Sequence, residues 1–122
     1  MLITNSSNRK TLILTLLLLS LLSSGCAHWS KGDTVRQLAI TGLIAIDCVQ
    51  THSFVSNGYS ELNPLLGSHP SSSEIYAWSA TGALLAWGIS ALLPPKWRAG
   101  FQYILLGAEG YNVIRNELET SE

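Results

Sequence analysis

The sequence predicts an all-α protein: a small membrane-embedded helical hairpin plus one shorter helix, following a signal peptide. Three observations lead there. Only 12% of residues are charged, about half the ~25% usual for a soluble domain. Apolar runs recur along the chain, the longest at residues 75–93. Pro94-Pro95 then links that run to the next by a connection so short that the two helices must be antiparallel neighbours. A chain of 122 residues holds one domain at most. The expected division is a signal peptide at 1–25 and a mature helical domain at 26–122, with helices near 35–55, 74–93 and 96–116.

The N-terminal element reads as an export signal. Arg9 and Lys10 form a short basic region, and TLILTLLLLSLL follows at residues 11–22. A basic patch, an apolar segment of about 7–15 residues and small residues before a cut site are the signature of a secretory signal. The run falls short of the ~20 residues that a membrane span needs. Ser23-Ser24-Gly25-Cys26 comes next. Small side chains let a peptidase hold the chain extended at the membrane face, and a thiol can be alkylated by a lipid. The stretch Leu22–Cys26, LSSGC, resembles the bacterial lipobox. That resemblance implies a diacylglyceryl group on Cys26, which becomes the mature N-terminus. The alternative is an ordinary signal peptide or uncleaved anchor with a chance cysteine. Apart from the covalent lipid, no cofactor is expected.

The first mature segment has a short apolar heart, LAITGLIAIDCV. Asp47, Gln50 and Thr51 share one face, because residues three and four apart are helical neighbours. A carboxylate in lipid costs a few kcal/mol on insertion scales. This segment is therefore expected either to pack against other helices or to lie shallow in the membrane.

The second segment, IYAWSATGALLAWGISALL, has no charge between Glu74 and Lys96. Ser71 and Glu74 have the spacing of a capping box at its start, and Pro94-Pro95 stops it. Tyr76, Trp78 and Trp97 sit where interfacial anchors belong. Gly82, Ala86 and Ser90 recur every four residues, a small-residue stripe of the kind on which helices pack in lipid. Its partner is a helix of this chain, another membrane protein or a second copy.

The third segment, WRAGFQYILLGAEGYNVIR, is interrupted by Glu109 and Asn112, and a polar tail follows. Lipoprotein processing places Cys26 outside the cytoplasmic membrane. If all three segments cross, Lys96 and Arg98 end on that outer side, against the positive-inside bias. If the short first segment does not cross, the pair becomes cytoplasmic, and this two-span arrangement is the expected one. Ala27 after the cysteine favours sorting to the outer membrane, whereas a long apolar helix favours the inner membrane. The inner membrane is expected, because nineteen apolar residues resist extraction.

Composition also excludes. Five basic residues (Lys31, Arg36, Lys96, Arg98, Arg115) face eight acidic ones after residue 26, a net charge of about −3. That excludes a nucleic-acid partner, which requires a clustered basic surface. Cys48 stands alone in an apolar stretch, so it reads as a small buried hydrophobe. Metal-ligand spacings, nucleophile motifs and phosphate loops are missing from the sequence.

The polar residues of interest are Asp47 and Thr51, then Glu61, Asn63 and Pro64, then Glu109. The order D-x-x-x-T followed by E-x-N-P resembles a group of uncharacterised bacterial membrane proteins, the DUF5658-like type, over roughly residues 39–93. The resemblance implies a membrane-embedded helical fold and carries no activity. Asn63-Pro64 breaks the chain at a fixed point. Glu61 is expected to accept bonds from loop amides or to cap the following segment. Asp47 and Thr51 are expected to satisfy the loop's backbone at membrane depth or to pair with a partner protein's helix. The functional expectation is a non-enzymatic binding or accessory lipoprotein of the bacterial envelope, in contact with membrane lipid. The alternatives are a small intramembrane hydrolase using Asp47, Glu61, His52 and His69, and an oligomeric pore component.

Overall fold

Two capping boxes and one proline pair set the helix boundaries. The expected box is present: the Glu74 N–H donates to Ser71 Oγ at 3.2 Å, and the Ser71 N–H donates to the Glu74 carboxylate at 2.6 Å. A second box starts the preceding helix at Ser30. There the Asp33 N–H donates to Ser30 Oγ at 3.1 Å and the Ser30 N–H to Asp33 Oδ2 at 2.9 Å. Each box satisfies two amides that a helix start leaves without partners. Pro95 occupies the first position of the last helix, where its missing N–H costs nothing.

These boundaries belong to a computed structural model that describes residues 6–26, 29–61, 63 and 65–121, without the side chains of 6, 7, 18 and 20–26. The described residues form α1 (Ser6–Cys26), α2 (Lys31–Ser56), α3 (Ser72–Leu92) and α4 (Pro95–Thr120), with no strand among them. The expected all-α class is therefore what the chain adopts. The backbone of Cys26 closes α1. Its side chain, and all of Ala27 and Pro64, lie outside the described residues.

Helix packing differs from expectation in three respects. First, the helix expected to be the short one is not short. α2 has 26 residues against 21 for α3, a length of roughly 39 Å at 1.5 Å per residue. The Ser30 box starts it ahead of the apolar heart, through the polar turn Lys31–Gly32–Asp33–Thr34. Second, α4 packs mainly along α2 and only lightly against α3. The Pro-Pro link makes α3 and α4 antiparallel but does not make them the principal pair. Third, the described helices long and apolar enough to cross a membrane are α2 and α3, rather than α3 and α4. Arg98, Gln102, Glu109, Asn112, Arg115 and Asn116 keep α4 below that threshold.

α2 and α4 run parallel in a fixed register. Asp33 bonds Arg98, Gln37 bonds Gln102, and Asp47 bonds Asn116. The inward stripe on α2 is Asp33, Gln37, Ile40, Ile44, Asp47 and Thr51, spaced four and three residues apart as in a coiled-coil seam. α3 runs antiparallel to both. His52 on α2 meets Ser72 at 2.9 Å and stacks on Tyr76, while Thr41 accepts from the Trp87 indole N–H at 3.0 Å. α1 lies along α3.

The distribution of polarity is inverted relative to a water-soluble fold. Asp33, Gln37, Thr51, Ser90, Arg98 and Gln102 are buried, against Ile40, Cys48, Ile75 and Ala86 on the apolar side. Val35, Leu38, Leu84, Ile104 and Ile114 face outward. In water the hydrophobic effect drives the opposite arrangement. The small-residue stripe is used unevenly. Ala86 and Ser90 are buried inside the chain, whereas Gly82 is exposed and a Cβ there would meet nothing within 4 Å.

Candidate functional site

At one end of the bundle a polar network is closed. Arg98 is fully buried. Its Nη1 donates to Asp33 Oδ2 at 3.0 Å, and its Nε and Nη2 donate to the carbonyls of Ser90 and Leu93 at 2.7 and 3.0 Å. The guanidinium thus caps the C-terminus of α3, where carbonyls lack intrahelical partners. Its flat face lies over the Trp29 ring at 4.6 Å, and Trp29 stacks on Trp87 at 5.9 Å. Arg36 completes the network by donating to Asp33 Oδ1 at 2.6 Å and to Gln102 Oε1 at 2.9 Å. Gln102 donates in turn to the Asp33 carbonyl and to Gln37 Oε1, both at 3.1 Å. This end holds α2, α3 and α4 together, although Gln37 Nε2 and Ser90 Oγ are buried there without a partner among the described residues.

The opposite end is open. Asp47, Thr51, Glu61, Asn63, Asn112, Arg115 and Asn116 line a polar cavity of about 310 Å³. A second cavity of about 310 Å³ is an open groove between α2, α3 and α4, with Ile44, Gly82, Leu85, Ile89, Phe101 and Leu105 as its apolar walls. Asp47 lines both cavities, and Glu109 faces the apolar one. A smaller recess containing Thr51, Glu61, Trp78 and Ser79 also borders Asp47 and lies between the two. Asp47 thus borders an apolar groove on one side and a polar cavity on the other, each of a size suited to a small organic ligand.

The loop that closes the mouth is built from its own side chains. The Asn63 N–H donates to Glu61 Oε1 at 2.9 Å, and the Leu65 N–H donates to Asn63 Oδ1 at 3.0 Å, an Asx turn. The Glu61 N–H crosses the loop to the Ser68 carbonyl at 2.8 Å. Gly67 supplies the turn's positive φ of 83°, a conformation that costs glycine little. Glu61 therefore accepts from a loop amide as expected.

Asp47 has a different partner from the one expected. Asn116 of α4 donates to its Oδ1 at 2.6 Å, so Asp47 ties α2 to α4 and not to the loop backbone. Gln50 reinforces this contact by donating to the Val113 carbonyl at 3.3 Å and to Glu117 at 3.2 Å. Thr51 is only 9% exposed, and its hydroxyl has no hydrogen-bond partner among the described residues. Glu109 likewise has neither a hydrogen bond nor an ion pair among them.

Asp47, Thr51, Glu61 and Asn63 are thus brought together as the sequence motif suggests, and Glu109 joins them through Asp47. His52 and His69 are held elsewhere, beside Ser72 and Ser68. Sequence reasoning missed Arg115 and Asn116. The spacing of Glu109, Asn112 and Asn116 along one helical face was the available signal. It also missed Asp33, whose signal was the S-x-x-D box beginning at Ser30. No protein-family model, curated protein or solved structure matches the chain.

Proposed function

We propose that the mature protein is a lipid-anchored accessory protein of the bacterial envelope that sits in the inner membrane and acts by binding through the Asp47 cleft. The observation that carries this reading is the inverted polarity of the bundle. Its inward stripes are polar and its outer surface is apolar, the arrangement stable in a solvent that cannot hydrogen-bond. α2 and α3 are each long and apolar enough to cross. The LSSGC sequence supplies the anchor at Cys26.

All three mature helices cross in this reading. α2 is bonded to α4 from Asp33 to Gln50, so neither helix can lie flat while the other spans. The charge rule accommodates this once burial is considered. Arg36 and Arg98 are bound to Asp33 inside the bundle and do not act as loop charges. Lys31 and Lys96 then remain outside, against Arg9, Lys10 and Arg115 at the cytoplasmic end, and the first basic region usually dominates orientation. The mouth of the cleft opens toward the cytoplasm.

Metabolic lipid labelling of wild type and Cys26→Ala tests the anchor: label on wild type alone is the expected result, and unlabelled wild type would remove the lipoprotein reading. A reporter fused after Glu122 tests the topology. Cytoplasmic activity is expected, and periplasmic activity would restore the two-span arrangement. A hydrolase built on Asp47 and Glu61 is the second reading, favoured by two carboxylates lining one cavity. It expects Asp47→Asn to eliminate turnover of a supplied ester substrate while leaving protein abundance unchanged.

A further inference from the structure

We propose that the Asp47 cleft binds a lipophilic amine: a primary ammonium group carried directly on an apolar chain. The chain lies in the groove beside Gly82, and the ammonium lies between Asp47 and Glu109 within reach of the Thr51 hydroxyl. This inference rests on the reading that the bundle is embedded in the membrane, but not on the lipid anchor.

Three features define the ligand. The first is shape. The groove of about 310 Å³ is walled by Ile44, Leu85, Ile89, Phe101 and Leu105. It stays open because Gly82 has no side chain and a Cβ there would meet nothing within 4 Å. Such a wall accepts a hydrocarbon and gives it no polar partner.

The second is the order of charge. Asp47 and Glu109 face the groove, and no basic residue lines it. Arg115 lines only the polar cavity at the mouth. A ligand inserted chain-first therefore meets two carboxylates beside the chain and, farther out, its first cation, Arg115, alongside Glu61. A phospholipid of the ethanolamine type has the reverse order, with phosphate next to the chains and amine beyond it. An amine bonded directly to the chain matches the site, and an anionic group beyond the amine would meet Arg115. Two carboxylates facing an apolar cavity are costly in a membrane unless a cation or a proton offsets them.

The third is hydrogen bonding. The Thr51 side chain is nine-tenths buried, lines the polar cavity beside Asp47 and has no partner among the described residues. Glu109 is also without one. A hydroxyl that lines a cavity and has no protein partner is available to a ligand. A primary ammonium carries three donors and can serve Asp47, Glu109 and Thr51 together. A quaternary ammonium has the charge but no donor.

The test uses the full lipidated protein in nanodiscs of a neutral lipid, with trace radiolabelled tetradecylamine, tetradecyltrimethylammonium and tetradecyl sulfate. Empty nanodiscs give the partitioning background. Saturable amine binding is expected, at least tenfold tighter than the quaternary analogue, while the sulfate shows background only. Glu109→Gln is expected to weaken amine binding at least tenfold. Glu109 makes no hydrogen bond among the described residues, so helicity and melting temperature should hold. Gly82→Leu fills the groove and is expected to abolish binding of both cations, and Thr51→Val should narrow the gap between amine and quaternary analogue. Amine retention at background, equal retention of amine and sulfate, or binding indifferent to both Glu109→Gln and Gly82→Leu would overturn the proposal. Missing lipid label on Cys26 alongside saturable amine binding would remove the lipoprotein reading and leave this one standing.

Discussion

The two ends of the bundle use the same kinds of residue for opposite purposes. At the Arg98 end, a guanidinium, a carboxylate and two amide side chains are buried and bonded to one another and to helix termini. At the Asp47 end, carboxylates, amides and a guanidinium line open space, and Thr51 and Glu109 have no described partner. Buried polar groups stabilise a fold only when they are satisfied. Gln37 Nε2 and Ser90 Oγ remain buried without partners among the described residues at the first end, so the contrast is one of space: the Arg98 end, filled by side chains, is assigned to structure, and the Asp47 end, bordering open cavities, is assigned to binding.

The largest effect that tests this contrast is at Arg98. Arg98→Ala removes the cap from the Ser90 and Leu93 carbonyls and leaves Asp33 with only Arg36 as a charged partner. Breaking one side of a buried pair typically costs about 3–5 kcal/mol. The expected outcome is a large fall in melting temperature in nanodiscs and little protein in the membrane fraction. A near-normal melting curve would show that the network is dispensable and that the two ends do not differ in kind.

A medium effect separates the two capping boxes. Ser71→Ala removes one exposed cap and is expected to cost about 1 kcal/mol. Ser30→Ala removes a cap whose partner, Asp33, also holds Arg98 and Arg36. Its cost is expected near the upper limit of about 2 kcal/mol, because the Asp33 N–H loses its acceptor beside a buried ion pair and the helix start that aims the Asp33 carboxylate at the guanidinium loosens. Thermal unfolding of the two variants side by side measures the difference. Equal costs would mean that the Arg98 network holds Asp33 without help from the helix start.

How far these features can be read from sequence follows from their range. Local signals were legible: the Ser71–Glu74 box, the Pro94-Pro95 stop, the apolar α3 and the all-helical class. The gathering of Asp47, Thr51, Glu61 and Asn63 was also legible, since one helix and the following loop contain them all. The Asp33–Arg98 pair spans 65 residues, and no local periodicity connects them. Arg98 instead reads as a loop charge beside Lys96, and the two-span expectation rests on that pair. The length of α2 was missed for a related reason: its first turn is polar, and a search for apolar runs starts the helix too late. Asn116 falls at the expected end of the last helix, where nothing local marks it as the partner of Asp47.

The smallest predicted effect is the most discriminating. Asp47→Asn keeps an oxygen that can accept from Asn116 and removes the charge from a half-buried position. A hydrogen bond of this kind contributes about 0.5–1.5 kcal/mol net, and the amide retains most of that. Stability is therefore expected to stay within about 1 kcal/mol of wild type, since the charge removed was costly to bury. Asp33→Asn has the same change of atoms at the closed end and is expected to cost several-fold more, because Arg98 loses its charged partner inside the bundle. If the two substitutions prove equally harmful, Asp47 is holding the fold together as Asp33 does. If Asp47→Asn is mild and Asp33→Asn is severe, the carboxylate at the cleft is being kept for something other than stability.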